Sequence, residues 1–177
     1  MAKVIVVDEQ RCMGCKQCMT ECALAHTQAR TLIEALRGSE DVQPRVHVEP
    51  IGTFGMPMQC RHCEDAPCVA VCPTGAVYRH SVGTPVLLDV DKCIGCKSCV
   101  LACPFGVMEM SRSGKAVAKC DLCIHRTAKG QEPACVAGCP TGALQFVDVE
   151  QWLRDRRRQA AQQAVAATAA AKNQEAK

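Results

Sequence analysis

RCMGCKQCMTECALAH, residues 11–26, places Cys12, Cys15, Cys18 and Cys22 in a C-x2-C-x2-C-x3-C run. Three cysteines spaced three apart on a tight loop can each take a different corner of one metal centre. A loop that turns so tightly has little means of bringing its own fourth cysteine round, so that corner must come from elsewhere in the chain. Gly14, just before the second cysteine, lets the backbone approach the centre and aim N–H groups at its sulfurs.

Three further groups follow. Cys60, Cys63, Cys68 and Cys72 form C-x2-C-x4-C-x3-C-P. Cys93, Cys96, Cys99 and Cys103 repeat C-x2-C-x2-C-x3-C-P, with Gly95 in the place of Gly14. Cys120, Cys123, Cys135 and Cys139 stretch to C-x2-C-x11-C-x3-C-P. The sixteen cysteines leave none over, and at four thiolates per cube they match four 4Fe-4S clusters. The proline after Cys72, Cys103 and Cys139 stops a helix and fixes the exit direction, whereas Ala23 follows Cys22. A four-thiolate zinc site would explain two C-x2-C knuckles, but not a third cysteine three residues on or the repeated x3-C-P ending.

The rest of the composition agrees. The chain has 177 residues but only three Phe, one Tyr and one Trp, so its core must come from Val, Ile, Leu, Ala, Met and whatever the cysteines bind. MAKVIVVDEQR offers too short an apolar run for a signal-peptide core, and no stretch of 18 or more apolar residues exists. The expectation is a cytoplasmic protein without a membrane span, where patterned cysteines are metal ligands before they are disulfides. The formal charge of +3 is uneven: residues 151–177 carry six Lys or Arg against two Asp or Glu. Each oxidised cube with its four thiolates adds about −2, so a fully loaded body would be strongly negative and the +3 is no nucleic-acid footprint.

CPTGAV at 72–77, CPFGVM at 103–108 and CPTGAL at 139–144 are near copies, each leading into a strand-like run. KVIVVD, PVLLDV and KAVAKC lead into groups one, three and four, giving a unit of strand, cluster loop with a helical turn, and strand. Val4 to Val7 opens such a module and Leu144 to Val147 closes one, so these outermost segments are expected to meet. That pairs group one with group four and leaves groups two and three as a second module; sequential pairing of one with two and three with four stays open on loop lengths.

The four-group layout, with CRHCEDAPCVAVCPTGA and the widened CDLC...ACVAGCP, resembles the four-cluster iron-sulfur subunits of molybdenum or tungsten oxidoreductases, formate-linked hydrogenases and carbon monoxide dehydrogenase. The resemblance covers residues 3 to about 148. It implies an α+β fold of two bacterial-ferredoxin-like modules, the second inserted in the first, to which the residues of the tail themselves add a C-terminal helix. The outer module is residues 1–22 and 104–148, the inner module 60–103, with a ligand-free insert at 23–59 and an Ala-rich tail at 149–177. It also implies the ligand sets. One cluster takes Cys12, Cys15, Cys18 and Cys139, and another Cys120, Cys123, Cys135 and Cys22. The inner pair takes Cys60, Cys63, Cys68 with Cys103, and Cys93, Cys96, Cys99 with Cys72. The missing proline after Cys22 departs from the pattern and is expected to let a helix run on through Ala23, Leu24 and His26.

Tunnelling falls off exponentially with distance, so four cubes in a row make a conductor where one buried cube makes only a staple. No GxGxxG, Walker loop or nucleophile with a paired base appears, so the chain is expected to relay electrons and not to turn over a substrate. The expected partners are a catalytic subunit, with a tungsten or molybdenum aldehyde or formate oxidoreductase favoured over a hydrogenase or carbon monoxide dehydrogenase, and a second carrier or flavin subunit. A cluster-based sensor touching nucleic acid through RDRRR at 154–158 is the alternative of another class, against which the short run without aromatics argues.

His62 and His125 flank cluster cysteines and are candidates for tuning a potential, ahead of His26, His47 and His80. Lys16, Lys97 and Lys119 read as surface lysines that offset cluster charge or steer an acidic carrier. In the insert, TLIEALRG reads as a short helix ended by Gly38 and PRVHVEP as an extended segment, together forming a covering loop or a surface for the catalytic partner. Asp148 with Gln151 resembles a capping box opening a tail helix of roughly 20 residues, too Ala-rich to be stable alone in water and thus a candidate for self-association.

Overall fold

The computed structural model describes residues 3–29, 31–38, 42–52, 54–112 and 114–175, the last seven by their backbone. Residues 30, 39–41 and 53 of the insert, residues 1, 2 and 113 of the outer module, and residues 176 and 177 of the tail lie outside the described residues. The fold is α+β, with short strands paired in twos.

Strand β1 (Lys3–Val7) precedes the first cysteine group, and its neighbour is β8 (Leu144–Asp148), which follows the last. The Asp8 N–H donates to the Ala143 carbonyl at 2.8 Å beside this pair. The expected meeting of the outermost segments is therefore observed. Strands β4 (Val77–Tyr78) and β5 (Leu87–Leu88) pair antiparallel, as do β6 (Glu109–Met110) and β7 (Val117–Ala118). The exit strands after the Cys-Pro turns of groups two and three thus pair with the strand that enters the next group, and the one after group four pairs with the strand that enters group one.

Each cysteine group carries a short helix: α1 (Gln17–Ala25) in group one, α3 (Pro67–Ala70) in group two, α4 (Ser98–Ala102) in group three, and α5 (Ile124–Thr127) with α6 (Ala134–Ala137) in group four. Where Cys-Pro closes the group the helix has stopped by its last cysteine; Cys103 itself caps α4. Without that proline α1 continues past Cys22 to Ala25, and His26 caps it. Helix α1 packs against α6, and α3 against α4.

The insert is more structured than a loop. Thr31 accepts a hydrogen bond from Glu34 N–H and opens α2 (Leu32–Arg37), which ends at Gly38 as its sequence predicts. PRVHVEP becomes β2 (Val46–Ile51), and the sequence reading missed its antiparallel partner β3 (Phe54–Gln59). Pro50 and Pro57 fit because a two-stranded ribbon has only edges.

Among the described residues, two of the apolar cores gather the cysteines. Ile5, Val46, Val48, Leu122, Val136 and Leu144 surround Cys18, Cys22, Cys120 and Cys135 in the first, with Cys139 and Cys60 packed against it. Val77, Val86, Met108 and Val117 surround Cys99 in the second, with Cys68, Cys72, Cys93 and Cys103 against it. All this lies in one unit, residues 5–146; the tail forms a second with residues 3 and 4. There Gln151 N–H donates to Asp148 Oδ1 at 3.1 Å, the predicted cap, and α7 (Val149–Glu175) runs 27 residues, longer than expected.

Candidate metal centres

The cluster loops owe their shape to left-handed backbone. Gly14 and Gly95 have φ of +70° and +67°, and the lysine two residues on is left-handed at both, Lys16 at 61° and Lys97 at 66°. Groups two and four reach the same turn without glycine, at His62, Leu122 and Cys123. Each such non-glycine residue costs about 1–2 kcal/mol, a strain tolerated where a loop must wrap something. Gly14 also lies under the β2–β3 hairpin: a Cβ on Gly55 would sit 2.7 Å from the Gly14 Cα.

None of the sixteen cysteines forms a disulfide. Their mutual electrostatics sort them. Burial pushes the Cys18 thiol up to about 11, and Cys139, Cys15 and Cys12 add to it. Burial raises Cys68, with Cys60 and Cys103 contributing. Cys99 is raised by burial and by Cys72, Cys68 and Cys93. Burial pushes Cys120 up to about 12 with help from Cys22, and Cys135 is raised by burial and by Cys22, Cys120, Cys123 and Cys18. Like charges raise one another only at close range, so Cys139 is near Cys18, Cys103 near Cys68, Cys72 near Cys99, and Cys22 near Cys120 and Cys135. Cys60, Cys63, Cys68 and Cys103 moreover line one cavity, closed by Pro104, Phe105 and Met108.

Backbone donors already point at the sulfurs. His62 N–H donates to Cys60 Sγ and Leu122 N–H to Cys120 Sγ, both at 3.4 Å within their loops. Val77 N–H reaches Cys72 Sγ at 3.4 Å and Arg45 N–H reaches Cys22 Sγ at 3.2 Å. Burial raises the Cys72 and Cys139 thiols, but N–H donors from Val77 and Leu144 and the hydroxyls of Thr74 and Thr141 together bring both below the ordinary value. Convergent thiols, N–H groups aimed at sulfur and an apolar surround are what a cubane needs. The residues present fit 4Fe-4S clusters.

Cys22, without its proline, has a polar setting of its own. His26 Nδ1 lies 2.7 Å from the Cys22 carbonyl oxygen, and Nε2 lies 3.1 Å from Asp121 Oδ1. Arg45 donates to Asp121 Oδ2 at 2.8 Å. Burial alone would lower the His26 pKa, but its bonds to Asp121 and Cys22 raise it to about 9. Burial likewise raises Asp121, yet His26 and Arg45 hold it well below the usual carboxylate range. Ligand atoms of His26, Asp121 and Cys123 lie within 4.8 Å of one another. Asp121 already accepts from Arg45, His26 and Cys123 N–H, so the cluster is a saturated network and not a lone-ion site.

His62 is held neutral: burial, then the Lys119 charge, lower it to about 3, and its Nδ1 accepts from Val86 N–H at 3.0 Å. His125 is exposed, edge-on to His26 at 5.8 Å. His47 lies 3.6 Å from Glu109, and His80 stacks edge-on to Tyr78. Lys16 and Lys97 are exposed as expected, but Lys119 is not a surface lysine; it is buried. Arg79, which the sequence reading passed over, donates to the carbonyls of His62, Cys63 and Glu64 and pins the group-two loop.

Residues 52–149 match the family model of a 4Fe-4S dicluster domain, and residues 9–25 match that of a 4Fe-4S binding domain. The chain belongs to the 4Fe-4S electron-transfer subunit family. Within that family it is 39% identical to the electron transport protein HydN of Escherichia coli K12, covering 91% of this chain and 98% of HydN. It is 38% identical to the thiosulfate reductase electron transfer subunit PhsB of Salmonella typhi, over 85% of this chain and 80% of PhsB. Identity to a sulfite dehydrogenase subunit of Allochromatium vinosum is 39%, over 82% of this chain and 68% of that protein. Among the described residues no helix is long and apolar enough to cross a membrane.

Proposed function

We propose that the chain holds four 4Fe-4S clusters and relays electrons between a catalytic oxidoreductase subunit and a second redox partner, a carrier or flavin subunit. The observation that carries this reading is the convergence of each group's leading thiols with the last thiol of another group. It supports Cys12, Cys15, Cys18 and Cys139 as one ligand set and Cys120, Cys123, Cys135 and Cys22 as its neighbour. It supports Cys60, Cys63, Cys68 and Cys103, and Cys93, Cys96, Cys99 and Cys72, as the inner two. Apart from Cys60, which packs against the first core, the partition of the clustered cysteines of groups one and four into one core, and of two and three into the other, favours an inner module, residues 60–103, inserted in an outer one.

A bound 4Fe-4S cluster supplies reversible one-electron transfer at a potential set by hydrogen bonds and exposure. The chain's own part is to hold each site with four thiolates, exclude water with Val, Ile, Leu and Met, and keep N–H donors on the sulfurs. Adjacency runs through the array: Cys135 lies near Cys18, and Cys99 near Cys68. Cys60 of the inner set packs against the first core. A route through both halves follows.

A tungsten or molybdenum aldehyde or formate oxidoreductase is the proposed catalytic partner, on the resemblance of the four-group layout; relatives named for thiosulfate reductase and sulfite dehydrogenase favour an oxidoreductase partner generally. The exposed Ile51 and Phe54 of the β2–β3 hairpin, and Ile33 and Leu36 of α2, are the proposed surface for it. Anaerobic purification of the full chain should give about sixteen iron atoms and no zinc, with four reducible centres by spin resonance. Zinc, or half that iron, would overturn the reading.

A further inference from the structure

Lys119 is only 2% exposed, between β7 and Cys120. Its ammonium donates to the Val86 carbonyl at 2.5 Å and to the Cys120 carbonyl at 2.6 Å. The two acceptors belong to different halves of the cysteine array. Val86 lines the cavity around Cys60, Cys63, Cys68 and Cys103. Cys120 lies in the other core with Cys22 and Cys135. Burial raises both Cys68 and Cys120, and the Lys119 charge opposes that rise at each.

A buried ammonium is expensive unless an opposite charge answers it. Carbonyls offer only partial charges, and among the described residues no carboxylate forms an ion pair with Lys119. The anions that balance it are the metal-thiolate sites on either side, each about −2 when oxidised. A fixed cation between two such sites stabilises the more negative, reduced state of both, and in a low-dielectric interior that effect is barely screened.

We propose that Lys119 is a positioning charge shared by the sites of Cys60, Cys63, Cys68, Cys103 and of Cys120, Cys123, Cys135, Cys22, raising the reduction potential of both and so controlling electron passage between the two modules. The proposal rests on the ligand sets proposed above. It distinguishes Lys119, which precedes the first cysteine of its group, from Lys16 and Lys97, which each follow the second cysteine of theirs and face solvent.

The test is a redox titration of the full, anaerobically purified chain followed by spin resonance, with iron measured in every sample. Lys119→Met, with iron unchanged, should shift two of the four centres toward the oxidised form by tenfold or more in the reduction equilibrium, about 59 mV for one electron. Lys119→Arg, which keeps the charge, should leave all four within a small fraction of that. Full iron with unmoved potentials in Lys119→Met overturns the proposal, as does a shift of all four centres alike. If Lys119→Met sheds iron, Lys119→Gln is titrated. Loss of iron in both neutral variants with full iron and unchanged potentials in Lys119→Arg supports the charge requirement. Loss in all three variants overturns it and makes Lys119 a packing residue. Fewer than four centres in the unaltered chain would instead break the ligand sets, before any variant is compared.

Discussion

In groups one and four Cys18, Cys22, Cys120, Cys123 and Cys135 are buried, whereas in groups two and three only Cys99 is; each half has one exposed cysteine, Cys15 in the first and Cys96 in the second. The same ligand chemistry therefore sits in two different solvents. The cause is the insert: Val46 and Val48 of β2 enter the first core, and Arg45 reaches Cys22. No comparable segment intervenes between groups two and three, whose short connection forms only the β4–β5 ribbon. Since exposure and hydrogen bonding tune cluster potential, a segment without a single ligand gives the cysteines of the two halves different surroundings.

The comparison breaks most visibly at Cys22. Cys22→Ser should remove about four iron atoms per chain, read by metal analysis, and leave the signals of the inner pair in place; loss of inner signals would erase the distinction between the halves. Next, an anaerobic sample challenged with a chelator and a thiol-alkylating reagent should be labelled first on Cys72 and Cys96, whose pKa is lowered by N–H and hydroxyl donors despite the pull of desolvation. Cys120 and Cys135, both raised by burial, should lag by tenfold or more. Peptide mass measurement decides, and equal rates would sink the idea of a sheltered half.

A smaller effect lies in pH. The folded-state pKa of His26 is raised to about 9, so its contribution is complete below the ordinary value of 6.5 and is lost as pH rises through about 9. That contribution is about 3 kcal/mol at most. The stability gap between the unaltered chain and His26→Gln, measured by urea unfolding, should shrink from pH 6 to pH 10. Smallest is Arg79→Ala, about 2 kcal/mol from loss of charged hydrogen bonds, with the loss in thermal scans accompanied by earlier bleaching of the inner centres only.

Much of this was legible in the chain because cysteine spacing is a local signal. The strands at Lys3–Val7 and Leu144–Asp148, the helix cap at Asp148, and the continuation of α1 past Cys22 all follow from short-range rules of periodicity, capping and proline. What was hidden is long-range or runs against propensity. FGMPMQ reads poorly as a strand because of Gly55 and Pro57, yet its pairing with β2 makes it one. Arg45 meets Cys22 across 23 positions, and Arg79 meets His62 across 17, through backbone groups that no motif records. Lys119 looked like any lysine beside a cysteine, and only the packing of Val86 above it reveals that it is enclosed.

The uninterrupted α1 has a geometric corollary. Cys18 and Cys22, assigned by the proposal to different centres, stand one turn apart on the same rigid rod, with an axial offset of about 6 Å. The spacing of the two outer centres is thereby measured off by helical rise, like marks on a ruler, and does not depend on loop conformation. A single residue added between them would swing Cys22 by about 100° around the axis, and the chain would lose its gauge at that end.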